Sequence, residues 1–334
     1  MTAPNSDTSV GLLGIGAYLP ARIMENEEWA QYVDTTDAWI VERTGIHRRR
    51  VAAEHETTVD LAVSAAQVAL ARAGVAAADL AEIIVATDTP EVVNPDTAAF
   101  VQHRLGAGEI PAYDLGGSGC AGFVQALDVA RARVLVGRDP VLVIGVELLT
   151  RRLDWRDRNT AVLFGDGAGA AVVTRGPGVR RILGATAGTD GSQAGILGIE
   201  VGGSRRPFSL EEAQRGSHKT LVMNGKEVFR EAVRRMSAAS RQVLEQTGVA
   251  LSEVDLVVPH QANLRILQAV AHNLDVPWEK VFCNVQEYGN IGSASIPVAL
   301  WEAENAGRIA PGATVLLTSF GAGFHWAAML LRWP

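Results

Sequence analysis

Two stretches of this chain repeat each other at a constant offset of 173 residues. Ile83-Ile84-Val85-Ala86-Thr87 aligns with Leu256-Val257-Val258-Pro259-His260, and Val141-Leu142-Val143-Ile144-Gly145 aligns with Thr314-Val315-Leu316-Leu317-Thr318. Each run is almost continuously apolar, the mark of a strand buried on both faces. Ahead of the first pair, both halves carry a helical pattern that ends in glycine, Ala62 through Gly74 and Val228 through Gly248, as a glycine-capped α-helix does. A helix, a short loop and a buried strand that occur twice predict an α/β protein whose sheets are covered by helices. The period is too long for a solenoid. Turn residues Gly176-Pro177-Gly178 mark the boundary, dividing the chain into an N-terminal half, 1–177, and a C-terminal half, 178–334. With no flexible linker between them, the halves are expected to pack tightly and open their strand ends into one shared crevice.

Composition removes several function classes. The chain has 334 residues, 48% of them hydrophobic, which is enough for a large core and unlike a disordered chain. Its two cysteines, Cys120 and Cys283, provide neither a disulfide framework nor a metal-ligand set, so no metal is expected and a reducing cytoplasm is the expected compartment. Met1 to Ser9 is polar, without a basic and apolar leader, and no run approaches a membrane span. A net charge of −7 argues against bulk nucleic-acid binding. The basic run His47-Arg48-Arg49-Arg50 reads as a solvated edge, and segment 195–225, rich in glycine and charge, as a surface excursion.

Cys120 lies in Asp114-Leu115-Gly116-Gly117-Ser118-Gly119-Cys120-Ala121-Gly122-Phe123, where a strand-like run ends in glycines and a helix begins. The helix N-terminus is expected to favour a thiolate. The other reading is a small buried core residue. His260 closes the apolar run 256–259 within Pro259-His260-Gln261-Ala262-Asn263. It reads either as a satisfied structural histidine or as a functional group at a strand end. Asn290, in Tyr288-Gly289-Asn290-Ile291-Gly292-Ser293, follows a predicted strand from Val281 to Val285 and sits near position 293, the duplicate of Cys120. It is a turn asparagine or a neutral hydrogen-bond donor. Ser319-Phe320-Gly321-Ala322-Gly323-Phe324 reads equally as a tight turn or as an oxyanion-binding corner. Gly14-Ile15-Gly16 and Gly165-Asp166-Gly167-Ala168-Gly169 lack the strand, glycine turn and helix order of a nucleotide site. They are read as glycines for close strand packing.

Together, Gly119-Cys120-Ala121-Gly122-Phe123, Pro259-His260-Gln261-Ala262-Asn263-Leu264-Arg265, Tyr288-Gly289-Asn290 and Gly165-Asp166-Gly167-Ala168-Gly169 resemble the β-ketoacyl-[acyl-carrier-protein] synthase III family of thiolase-fold condensing enzymes, over residues 11–333. The resemblance implies a thiolase-like fold of two duplicated βαβαβ-type halves in a five-layered αβαβα arrangement. It also implies an acyltransferase that initiates fatty-acid synthesis. An acyl group passes from coenzyme A to Cys120 and is condensed with a decarboxylating malonyl thioester. In similar proteins the positions of His260 and Asn290 stabilise the enolate, and the N–H groups of Cys120 and Gly323 hold the oxyanion. Trp39, Arg43, Arg158 and Asn263 match coenzyme A contacts. Arg158 alone would otherwise read as a surface ion pair with Asp154 or Asp157. Arg230 and Arg265 match positions that dock an acyl carrier protein, and Asn94 and Phe324 match the acyl pocket.

The resemblance implies no cofactor beyond coenzyme A thioesters as substrates, and a homodimer. Two departures matter. His272 stands where relatives often carry lysine, which leaves malonyl-coenzyme A open as the extender. Asn94 replaces a large apolar residue that in relatives crosses the dimer interface, which leaves the primer open. The alternatives are a specialised-metabolism or polyketide-type relative using malonyl-coenzyme A, an acyltransferase of the same fold, and a catalytically silent scaffold subunit.

Overall fold

The structure, a computed structural model, describes residues 9–219 and 221–334; the expectation for the first residues therefore lies, but for Ser9, outside the described residues. The first half runs β1 (Val10–Tyr18), β2 (Arg22–Glu25), α1 (Asp37–Thr44), β3 (Arg48–Val51), α2 (Thr58–Ala73), β4 (Glu82–Ala86), α3 (Thr97–Leu105), β5 (Ala112–Leu115), α4 (Gly122–Leu135), β6 (Val141–Leu148) and β7 (Asp166–Arg175). The second runs β8 (Arg180–Thr189), β9 (Leu197–Ile199), α5 (Leu210–Arg215), β10 (Leu221–Met223), α6 (Gly225–Thr247), β11 (Leu256–Pro259), α7 (Leu264–Leu274), α8 (Val285–Tyr288), α9 (Ser295–Asn305), β12 (Thr314–Gly321) and β13 (His325–Arg332).

The main sheet has the order β11-β12-β13-β8-β1-β7-β6-β4-β5. Among the described residues, its two parts are hydrogen-bonded strand to strand only where β1 pairs with β8, at Gly11↔Arg181 and Leu12↔Arg180. In each part a parallel pair is followed by antiparallel neighbours, β4 and β6 then β7 and β1 in one, β11 and β12 then β13 and β8 in the other. Helix α2 covers the outer face of the first part and α6 that of the second, while α4 and α9 touch strands of both parts. This is the αβαβα layering of the thiolase-like fold.

Alternation along β4 shows why both faces need apolar residues. Ile84 and Ala86 enter the central core with Phe123, Leu300 and Val315, whereas Ile83 and Val85 join Leu61, Ala65 and Ala69 of α2. Complete burial of such a side chain contributes roughly 1.5–3 kcal/mol. The glycines of β1 let α2 approach closely: a Cβ on Gly14 would lie 2.3 Å from Ala69 O, and one on Gly16 2.5 Å from Ala65 O. Likewise, a Cβ on Gly169 would lie 2.6 Å from Pro297 Cβ. Packing accounts for both glycine runs. Among the described residues no helix is long and apolar enough to cross a membrane.

Three expectations need correction. The predicted strand from Val281 to Val285 is one bridge, Val257↔Val281, followed by α8. The Gln261 side chain takes the place of a neighbouring strand, donating to Phe282 O (3.2 Å) and accepting from Asn284 N (3.0 Å). The run 47–50 is not a solvated edge throughout. Arg49 is fully buried, donating to Asn26 Oδ1 and Val162 O at 2.7 Å each, with its guanidinium over Trp29. Burial holds its pKa down to about 10. Segment 195–225 is only partly a surface excursion. Phe208 and Leu210 are exposed, but β9 and β10 pair as an antiparallel ribbon that contributes Leu197, Leu221 and Met223 to the central cavity.

Candidate active site

Two glycine corners, one from each half, press together at the ends of β5 and β12. Gly119 opens a 3-10 turn, Gly119–Ala121, with φ +53°, and a Cβ there would lie 2.5 Å from Ala322 N. A Cβ on Gly321 would lie 2.5 Å from Cys120 N. Only glycine allows this approach. It sets the Cys120 and Ala322 backbones side by side at the wall of a cavity that His260 and Asn290 also line. The structure thus brings together the three predicted catalytic residues. Cys120 Sγ lies 3.7 Å from Asn290 Oδ1.

His260 follows β11, its N–H donating to Thr318 O (2.8 Å). It is 2% exposed. Burial holds its pKa down to about 3, so the ring is neutral near pH 7. Its Nδ1 has no hydrogen-bond partner among the described residues. Asn290 is held by its backbone, donating to Leu163 O (2.8 Å) and accepting from Gly165 N (3.0 Å). Its Oδ1 accepts from Gly292 N (2.9 Å). That bond fixes which side of the amide points onward, leaving Nδ2 as the donor face.

The expected resting thiolate is not what this environment favours. Burial pushes the Cys120 thiol well above its ordinary range, and the carboxyl groups of Glu147 and Asp88 push it the same way. Desolvation, the largest of these effects, outweighs the short helix start and favours the thiol form over the thiolate. Glu147 and Asp88 had no part in the reading of the sequence, and both line the cavity. Glu147 was visible as the one acid in the apolar run 141–148. What its carboxyl touches was not.

The rest of the cavity wall is apolar. Leu197, Leu221 and Met223 come from the antiparallel pair β9 and β10, Val228, Ala232 and Met236 from α6. Phe320 lines the cavity, while Phe324 is fully buried behind it, ring centroids 4.7 Å apart. Phe324 therefore supports the wall and does not form it. Gly323 is similarly displaced: Ala322 borders the cavity, and a Cβ on Gly323 would strike the His325 ring at 2.1 Å. Asn94 is exposed and absent from the cavity wall.

Trp39 has two cations near its ring, the Arg158 guanidinium 4.7 Å and that of Arg43 5.8 Å from its ring centroid. Arg158 donates to Asp34 O (3.0 Å). Neither acid of the alternative ion pair holds it: Asp154 takes Arg156, and Asp157 accepts from Asn159 and Thr160. Asn263 caps α7, its Oδ1 accepting from Ile266 N (3.0 Å). Arg230 and Arg265 are exposed on adjoining helices α6 and α7, Arg230 paired with Glu227 and Glu231, and His272 is exposed near the end of α7.

Residues 113–191 match the family described as 3-oxoacyl-[acyl-carrier-protein] synthase III, and residues 244–333 match its C-terminal counterpart. The chain is 45% identical to a β-ketoacyl-[acyl-carrier-protein] synthase III of Oleidesulfovibrio alaskensis, over 96% of this chain and 98% of the relative. It is similar to the crystal structure of β-ketoacyl-[acyl carrier protein] synthase III from Thermus thermophilus, with a TM-score of 0.89, 47% identity and coverage of 97% and 99%. It also resembles the priming β-ketosynthase from the R1128 polyketide biosynthetic pathway, with a TM-score of 0.88, 36% identity and coverage of 100% and 98%.

Proposed function

Because this chain belongs to the β-ketoacyl-[acyl-carrier-protein] synthase III family, whose members are condensing acyltransferases, we propose that its cavity joins an acyl-coenzyme A primer to a malonyl thioester. Cys120 Sγ attacks the primer carbonyl, the carbon–sulfur bond to coenzyme A breaks, and the thiol proton leaves on the coenzyme A sulfur. One thioester replaces another at little net cost, which suits a cysteine. The malonyl thioester then loses carbon dioxide. Its electron pair passes to the thioester oxygen as an enolate, within reach of donors from His260 and Asn290. The enolate carbon attacks the acyl-Cys120 carbonyl, and the Cys120 and Ala322 N–H groups stabilise the oxyanion. Collapse releases the 3-ketoacyl thioester and Cys120, which recovers a proton.

The observation that carries this reading is that His260 and Asn290 line one cavity with Cys120, whose sulfur lies 3.7 Å from Asn290 Oδ1. Two uncharged donors stabilise an enolate made by decarboxylation, a step that needs no strong base. A transferase acting on a hydroxyl or amine would need a base in their place. Trp39 with Arg43 and Arg158 offers a flat ring beside two cations, suited to the adenine and phosphates of coenzyme A. Arg230 and Arg265 offer an acidic carrier protein a basic face at low ionic strength. The second reading, a priming enzyme of polyketide type using malonyl-coenzyme A, is favoured by His272 in place of the usual lysine.

Intact-mass measurement with a panel of acyl-coenzyme A primers should show one acyl adduct, absent in Cys120→Ala; no adduct on wild type sinks the covalent step. Comparing carbon dioxide release from malonyl carrier protein and from malonyl-coenzyme A separates the two readings.

A further inference from the structure

Glu147 closes β6 beneath the nucleophile, 1% exposed, and its contacts account for each proton. Its Oε2 accepts from Thr89 Oγ1 (2.7 Å), whose own oxygen accepts from Leu148 N (2.9 Å). Asp88 N points at both carboxyl oxygens, 3.2 Å from each. Ser293 Oγ lies 2.9 Å from Glu147 Oε1 and 2.8 Å from Ala86 O. A serine hydroxyl has one proton, and the Ala86 carbonyl can only accept. Once Ser293 donates to Ala86, the contact with Glu147 needs a proton on the carboxyl oxygen.

We propose that Glu147 stands protonated at Oε1 and donates to Ser293, so that a neutral carboxylic acid positions the Asn290 loop beside Cys120 for the decarboxylation step. This assignment rests on the condensing reading above. The path is short: Ser293 follows Gly292, whose N–H holds Asn290 Oδ1 at 2.9 Å. Gly292, at φ +54°, lies so close that a Cβ would be 2.6 Å from Glu147 Cγ. The acid thus ties the second half's catalytic loop to β4 and β6 of the first half. Glu147 does not touch the reacting atoms in this role; it acts through Asn290.

The surroundings agree with a retained proton. The titratable groups facing Glu147 are Asp88, after β4, and Cys120, on the turn before α4; Gly167, its partner on β7, and Ser293 and Gly292 carry no charge. Asp88 in turn faces His325 on β13. Burial, with Asp88 nearby, raises the Glu147 carboxyl to about 8. An ionised Glu147 could keep this contact only by drawing the Ser293 proton away from Ala86 O, and it would further oppose any negative charge on Cys120.

The test compares wild type with Glu147→Gln and Glu147→Ala by carbon dioxide release and by primer KM. The Gln amide can donate to Ser293 and accept from Thr89 but cannot ionise. Glu147→Ala should slow decarboxylation at least about tenfold with primer KM within about twofold, and Glu147→Gln should restore it to within about threefold of wild type at pH 7. From pH 7 to about 9.5 the Gln to wild-type rate ratio should rise at least about fivefold, because only wild type loses the proton. A flat ratio, or an Ala variant as active as wild type, overturns the assignment. Should Glu147→Gln fail to fold, Ser293→Ala removes the acceptor and should itself slow decarboxylation at least about fivefold; an unchanged rate and pH profile there also overturns it. A wild type that releases no carbon dioxide overturns the reading of the reaction, whereas an active wild type with a flat ratio overturns the Glu147 assignment alone.

Discussion

The corner that carries Cys120 and the corner that carries Ser293 are the same piece of backbone used twice. Gly119–Ala121 and Gly292–Ala294 are both 3-10 turns, their first glycines stand at φ +53° and +54°, and each leads directly into a helix, α4 or α9. The second residue of the turn differs in its surroundings. Cys120 faces the cavity beside Asn290, while Ser293 is 1% exposed and spends its hydroxyl on Ala86 O and the Glu147 carboxyl. One duplicate presents a side chain to the substrate space and the other is absorbed into the wall between the halves. The comparison teaches that the repeat supplies geometry, and that burial and hydrogen-bond partners decide which copy does chemistry.

The hardest blow to the comparison is to move the nucleophile. Cys120→Ala should lower condensation at least about 10³-fold, since covalent transfer is lost. Ser293→Cys added to that variant should not recover an acyl adduct by intact mass, because its sulfur would face Ala86 and Glu147; an adduct at position 293 would break the distinction between the corners. Next in size are the donors that only the second half provides. His260→Ala and Asn290→Ala should each slow carbon dioxide release by about 10²–10³-fold, the usual effect of removing one oxyanion donor. Primer loading, followed by mass, should change far less.

The backbone identity of the two corners can be tested by stability. Gly119→Ala and Gly292→Ala each force an L side chain into positive φ and into a contact under 3.0 Å, so each should cost at least about 1–3 kcal/mol in denaturant unfolding. A neutral result at either would show that the turns are not equivalent.

Acid should act on the second half through His260. Its folded pKa is depressed to about 3 from an unfolded value of about 6.5. Below pH 6.5 the unfolded chain takes up a proton that the folded chain refuses. The stability is therefore complete above about pH 6.5 and falls as pH drops, by roughly 2 kcal/mol between pH 6.5 and 5 from this group. Unfolding curves at both pH values, compared with a folded His260→Asn variant, should show this slope reduced. The smallest effect is expected away from both corners: Trp39→Ala should raise the KM for the coenzyme A thioester about fivefold with kcat little changed, as one stacked ring is worth about 1 kcal/mol.

Much of this was legible along the chain because the information is local or periodic. The apolar runs, their 173-residue spacing and the glycine-ended helices specify buried strands and covering helices wherever they occur. Cys120 and His260 were readable as candidates since each follows an apolar run at a glycine or polar corner, and Asn290 because it lies in a glycine-rich corner near the duplicate position of Cys120. Residues that act through contacts distant in sequence were not readable. Arg49 in a basic run gave no sign of Asn26 and Val162 waiting to bond it. Segment 195–225, charged and rich in glycine, gave no sign that Leu197, Leu221 and Met223 would wall the cavity.

By itself the sequence determined the duplicated α/β architecture and a short list of reactive side chains, since periodicity and chain direction are enough to set which faces are buried. Only the tertiary structure decided that Ala322 rather than Gly323 borders the cavity and that Phe324 backs Phe320. It alone placed Cys120 in a desolvated wall beside Glu147 and Asp88, where the thiol form is favoured. Those outcomes depend on desolvation and on proton sharing between groups up to 170 residues apart, and such quantities exist only once the halves have packed.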